Sequence, residues 1–86
     1  MRLVIEKRAA KRLADLPPKA RAALLERLKA IAAEPFGDHP QVTAIKGERD
    51  AFRLRQGDWR AVYKIDRAAQ SMHVRLIEPR SGRTYR

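Results

Sequence analysis

The sequence predicts an α+β fold, in the order β-α-α-β-β-β, with a helical hairpin packed on one face of a mainly antiparallel sheet. Three observations predict it. Apolar residues recur at helical spacing from residue 6 to residue 33. A proline pair, Pro17-Pro18, divides that stretch in two. From residue 52 to residue 77 the pattern switches to alternation with a period of two.

Leu3-Val4-Ile5 is a short apolar run and reads as a first strand. Ala9, Leu13 and Leu16 then fall at i, i+4 and i+7, with Lys7, Arg8, Lys11 and Arg12 on the other side. Pro17 and Pro18 end this helix, because a residue before proline is pushed out of the α region. Pro18 also suits the first turn of a second helix, where a missing N–H is harmless. That helix spans residues 18–33, with Ala20, Leu24, Leu28 and Ile31 as its stripe and Leu25 and Ala32 widening it. Pro35 stops it.

Residues 35–50 are rich in turn formers, and residues 42–45 are either a strand start or an apolar anchor. Residues 52–55, 59–65 and 72–77 read as three strands joined by two tight turns. The expected core is Leu13, Leu16, Leu24, Leu28, Ile31, Phe52, Leu54, Tyr63, Val74 and Leu76. Trp59 and Tyr63 share parity with apolar positions and read as core residues rather than base-stacking platforms.

With 86 residues the chain is expected to form a single domain, residues 1–86. It has no cysteine, so neither a disulfide nor a thiolate metal site is available. The N-terminal apolar run is too short for a signal peptide, and no segment has the apolar length of a membrane span. A cytoplasmic location without membrane contact follows as the expectation. No metal-ligand spacing and no glycine-rich phosphate loop is present, so neither a metal nor a cofactor is expected.

The formal net charge is +10 and the sequence pI near 11.1. Residues 1–48 carry ten basic and six acidic side chains, whereas residues 49–86 carry ten and four. Such an excess, concentrated in the second half, is the footprint of a polyanion-binding surface. Strand alternation sharpens it. One face of the predicted sheet takes the apolar residues. The other collects Arg53, Arg55, Arg60, Lys64, His73 and Arg75, with no carboxylate among them. Long arginine stems can cover a sheet while their heads reach water, which is the plain structural account of such a face. Repulsion between cations on neighbouring strands nevertheless costs stability, and a phosphodiester backbone would offset it. His73 is a lone histidine on a strand, and His39 lies in a proline-rich loop. Arg67 falls in a turn away from this face.

The segment Ala10-Lys11-Arg12-Leu13-Ala14-Asp15-Leu16-Pro17, the alanine- and leucine-rich helix after it, and the run from Phe52 through Gly57-Asp58-Trp59-Arg60 to Tyr63 resemble the RelE/ParE superfamily of toxins from type II toxin–antitoxin systems. The closing Arg80-Ser81-Gly82-Arg83-Thr84-Tyr85-Arg86 is similar to that family's basic C-terminal segment and tyrosine. The resemblance implies a cognate antitoxin protein as partner. In its RelE form it implies a ribosome-dependent endoribonuclease, or mRNA interferase, with mRNA and the ribosome as further partners. In its ParE form it implies a toxin that acts on DNA gyrase and lacks ribonuclease residues.

For the RelE form, the resemblance assigns catalysis to Arg60, to Arg80 or Arg83, and to Tyr85. It assigns RNA binding to Arg53 and Arg55, to which the cationic face adds Lys64, His73 and Arg75. The reaction would be attack of a 2′-hydroxyl on the adjacent phosphorus. Guanidinium forks suit the charge that gathers on the phosphate oxygens. RelE-type sites often carry lysines where this chain has Arg53 and Arg55. A lysine can lose its proton and act as a base, and an arginine cannot. Tyr85 or His73 would then do the proton work. A catalytically weak, antitoxin-binding module is the remaining alternative.

Overall fold

The computed structural model describes residues 1–79 of the chain. β1 (Arg2–Ile5) leads into α1 (Lys7–Asp15) and α2 (Pro18–Ala33), followed by β2 (Val42–Ala44), β3 (Ala51–Gln56), β4 (Trp59–Asp66) and β5 (Ser71–Pro79). The sheet order is β1-β5-β4-β3-β2. β1 runs parallel to β5, and the other neighbours are antiparallel. The two helices lie on one face, α1 against β5 and α2 against β1 and β3. No helix among the described residues is long and apolar enough to cross a membrane.

The helix boundaries follow local chemistry. α1 stops where Leu16 turns extended, its N–H donating back to the Leu13 carbonyl, and Pro17 and Pro18 follow. α2 opens with a proline in its first turn. The apolar stripes of both helices meet the sheet in one core of Ala9, Leu13, Leu16, Leu24, Leu28, Ile31, Leu54, Ala61, Tyr63, Ile65, Met72, Val74 and Ile77, with Ala32 beside them. Phe52, expected in the core, is only half-buried and stacks on Tyr63 with ring centroids 5.4 Å apart.

The β3–β4 hairpin has a two-residue loop, Gly57-Asp58. Gly57 holds φ at +59°, a left-handed value that glycine adopts without cost. This tight turn fixes the register that sets Arg55 opposite Arg60. The segment at residues 42–45 resolves as the three-residue edge strand β2, paired only with β3.

The expected last strand needs correction. Tyr63 pairs with Val74 but Val62 pairs with Leu76, so Arg75 is an extra residue without a partner on β4. This bulge reverses the alternation for the rest of the strand. Ile77, assigned by uninterrupted alternation to the polar side, is buried beside Ala61. Leu76, assigned to the core, lies half-buried on the open face beside Val62. The strand also continues through Glu78 and Pro79 rather than ending at Ile77.

Leu28 and Ile77 are at most 1% exposed, so Leu28→Ala and Ile77→Ala should each cost about 2–5 kcal/mol in urea unfolding. Leu76→Ala should cost clearly less than Ile77→Ala. Equal losses at the two neighbours would show that the bulge does not reverse the strand.

Candidate nucleic-acid interface

The helices leave the opposite face of the sheet open. Side chains directly across a ladder share a face, so the register sorts this surface into rows. The first row is Arg55, Arg60 and Glu78. The second is Thr43, Arg53, Val62 and Leu76. The third is Ala51, Lys64, His73 and Val4. Arg75, the bulge residue, is exposed between the second and third rows on β5.

The first row contains the strongest contact on the face. Arg60 donates from Nε at 3.0 Å and from Nη2 at 2.6 Å to Oε2 of Glu78. Both side chains are about one-third exposed, at 29% and 32%. The guanidinium is therefore held in one plane with an edge toward solvent. Arg53 and Arg55 make no ion pair among the described residues.

In the third row, His73 Nε2 shares a 2.8 Å hydrogen bond with Oγ of the buried Ser71, and Nδ1 lies 3.9 Å from Glu6. Arg75 lies 3.8 Å from Glu48. Lys64 and Arg60 are four residues apart on β4, a separation of about 13 Å at strand rise. The five predicted cations and His73 thus share a face, with Arg55 and Arg60 at one end, Arg53 in the row beside them, and Lys64, His73 and Arg75 toward the other end.

Two expectations are overturned here. The face was expected to carry no carboxylate, yet Glu78, Glu6 and Glu48 approach its cations. Glu78 was missed because the predicted strand ended before it and because the bulge, invisible to alternation, turns it toward Arg60. Arg67 was expected to stand apart. Instead its Nε and Nη2 donate to both oxygens of Asp50 at 2.8 and 2.9 Å, and its guanidinium lies 4.3 Å from the centre of the Phe36 ring. Register could have revealed this, since Asp50 immediately precedes β3 and Arg67 immediately follows its partner β4. Asp50 holds φ at +56°, a left-handed value that aspartate tolerates better than most residues.

The hydrogen bonds from Arg67 hold the Asp50 carboxyl below the ordinary carboxylate range. Burial pushes the Tyr63 phenol up to about 12, so it stays neutral near neutral pH. Among the described residues no group of His, Asp or Glu could hold a metal ion. Arg80, Arg83 and Tyr85 lie outside the described residues. Two arginine–carboxylate pairs, Arg60–Glu78 and Arg67–Asp50, are thus held in fixed orientation, one toward each end of the sheet.

No protein-family model and no curated protein matches this sequence. Solved structures do match. A chain of the archaeal RelE–RelB complex from Pyrococcus horikoshii is 28% identical over 95% of this chain and 96% of its own, with a TM-score of 0.80. The isolated RelE toxin of E. coli is 20% identical over 94% of this chain and 87% of its own, with a TM-score of 0.81. A chain of the RelBE2 toxin–antitoxin complex from Mycobacterium tuberculosis is 23% identical over 92% and 96%, with a TM-score of 0.75. The last two likenesses are of fold. Together they show that the chain has a RelE-like fold, with both helices on one face of the sheet.

The Asp50–Arg67 pair gives this end of the face a pH signature. A carboxyl with a lowered folded pKa contributes stability at and above the ordinary range, and loses it as pH falls through the lowered value. Asp50→Asn should therefore melt below the wild type at pH near 6, and the gap should close toward pH near 2. A gap that stays constant over that range would remove the pair from the account of acid stability.

Proposed function

We propose that this RelE-like chain is the toxin of a type II toxin–antitoxin pair and that its open sheet face cleaves messenger RNA in the ribosomal A site. The likeness to RelE, including chains solved in complex with RelB, supports the toxin assignment and an antitoxin protein as partner. The ribonuclease reading is carried by one observation, the half-buried Arg60 held by Glu78 beside Arg55. A basic chain of net charge +10 also suits both an acidic antitoxin segment and RNA in the cytoplasm.

In this reading the 2′-hydroxyl attacks the adjacent phosphorus, and the bond to the 5′-oxygen breaks. Glu78 occupies Nε–H and one hydrogen of Nη2 on Arg60, which leaves Nη1 and the other Nη2 hydrogen for phosphate oxygens. Arg55 and Arg53 add charge where the transition state gathers it, and neither must first release a carboxylate. Glu78 makes both Arg60 bonds through Oε2. Its Oε1 accepts the 2′-hydroxyl proton, supplying the base that arginines cannot provide. Protonation of the leaving oxygen falls to Tyr85, with Arg80 or Arg83 as a further phosphate contact.

The same contact favours a second reading. A carboxylate that neutralises Arg60 also weakens it as a phosphate donor, as expected of an antitoxin-binding module with little activity.

Primer-extension mapping of mRNA after brief induction separates these readings. Arg60→Ala should slow cleavage by about 10²–10³, and Arg60→Lys should restore only part. Lys29→Ala, at an exposed position of α2, should have no effect. Glu78→Gln should slow cleavage by about 10² or more if Glu78 is the base. Faster cleavage in Glu78→Gln would show that the carboxylate only restrains Arg60. Intact mRNA with damaged DNA in induced cells would end the ribonuclease reading in favour of gyrase.

A further inference from the structure

We propose that the groove at the β4–β5 turn end of the open face is a second nucleotide subsite, in which an RNA base stacks on Arg67 and the adjoining backbone lies on Lys64 and Arg75. The inference rests on the ribonuclease reading and extends it to a part of the face that takes no part in bond cleavage. The groove has a volume of about 510 Å³, and Arg49, Lys64, Arg67, His73 and Arg75 line it.

Arg67 is the centre of the case. An exposed arginine ordinarily samples many rotamers. Here both oxygens of Asp50 hold the guanidinium, and Phe36 covers it at 4.3 Å. Phe36 is itself 52% exposed, and no other large hydrophobic side chain among the described residues is exposed. The Arg67 side chain remains 59% exposed. The result is a flat, charged plate, fixed in orientation and open to solvent. Unstacked RNA bases stack on such guanidinium planes and on aromatic rings.

The charges around the plate are disposed for a backbone. Arg49 and Lys64 make no ion pair among the described residues. Arg75 and Glu48 are both about half exposed and 3.8 Å apart, so solvent screens their attraction and leaves Arg75 available. Three carboxylates also line the groove: Asp50 is engaged by Arg67, Asp66 accepts the Ala69 N–H within the turn, and Glu6 lies 3.9 Å from His73. Between this groove and Arg60 lie Val62 and Leu76, two apolar side chains in a row that also carries Arg53, on which a strand can pass. An acidic peptide would satisfy the cations but would gain nothing from a plate backed by Phe36. RNA uses both.

Fluorescence anisotropy of the purified protein with a 2′-O-methyl decanucleotide, which cannot be cleaved, tests the subsite. Phe36→Leu keeps the Asp50–Arg67 pair but removes the ring that holds the plate in place, and should weaken binding by up to about tenfold, the scale of one stacking contact. Arg67→Lys should weaken it similarly, because charge remains but the plane is lost. Lys64→Ala should weaken it and lower its salt dependence. If Arg55→Ala weakens binding while Phe36→Leu and Lys64→Ala do not, the subsite is overturned and the ribonuclease reading stands. A wild-type protein that binds no RNA would overturn both. Loss of poly-glutamate binding in the groove variants, with RNA binding unchanged, would assign the groove to a protein partner and overturn the proposal.

Discussion

An antiparallel strand presents alternate side chains to alternate faces, and one added residue reverses that assignment for everything beyond it. In β5 the added residue is Arg75. Before it, Met72 and Val74 enter the core. After it, Ile77 does. Without the bulge, Glu78 would point to the helical side of the sheet, where an unpaired carboxylate is costly to bury. With it, Glu78 meets Arg60 on the open face. The core and the candidate site are thus set by the same irregularity.

The open face is best described as two charged ends separated by a middle that is apolar on β4 and β5. At one end Arg60 holds a single carboxylate, with Arg55 opposite it and Arg53 in the next row. At the other, Lys64, Arg67, His73 and Arg75 are interleaved with Glu6, Asp50 and Glu48. Val62 and Leu76 lie between. Cations opposite one another on adjacent strands repel, as Arg55 and Arg60 must. The carboxylates offset part of that cost, and binding of a polyanion would offset the rest. The arrangement tolerates charge in the free protein while keeping arginines available.

Much of this was legible in the sequence. The helix pair was, because Pro17, Pro18 and Pro35 bracket apolar stripes that have only one way to pack. The β3–β4 hairpin was, because Gly57-Asp58 is a strong turn signal between alternating runs. The presence of Arg53, Arg55, Arg60, Lys64 and His73 on one face followed from parity alone. What escaped was everything that depends on tertiary register. A bulge leaves no mark in hydrophobic alternation when the residues around it are mixed, as in His73-Val74-Arg75-Leu76-Ile77. The Arg67–Asp50–Phe36 cluster joins a turn, a strand start and the loop after α2, and no local pattern links them. The C-terminal Arg80, Arg83 and Tyr85 remain assigned by family resemblance.

The edge strand β2 has a further consequence. A sheet edge exposes unpaired backbone groups that can template another chain. Here that edge is only three residues long, Val42–Ala44, with Thr43 and Ala44 exposed and Lys46 close beyond. The other edge, β1, is four residues long and begins with the exposed Arg2. Neither offers the long, flat, uncharged ladder on which fibrillar stacking propagates. The brevity of these margins, together with the chain's charge, works against edge-to-edge strand pairing.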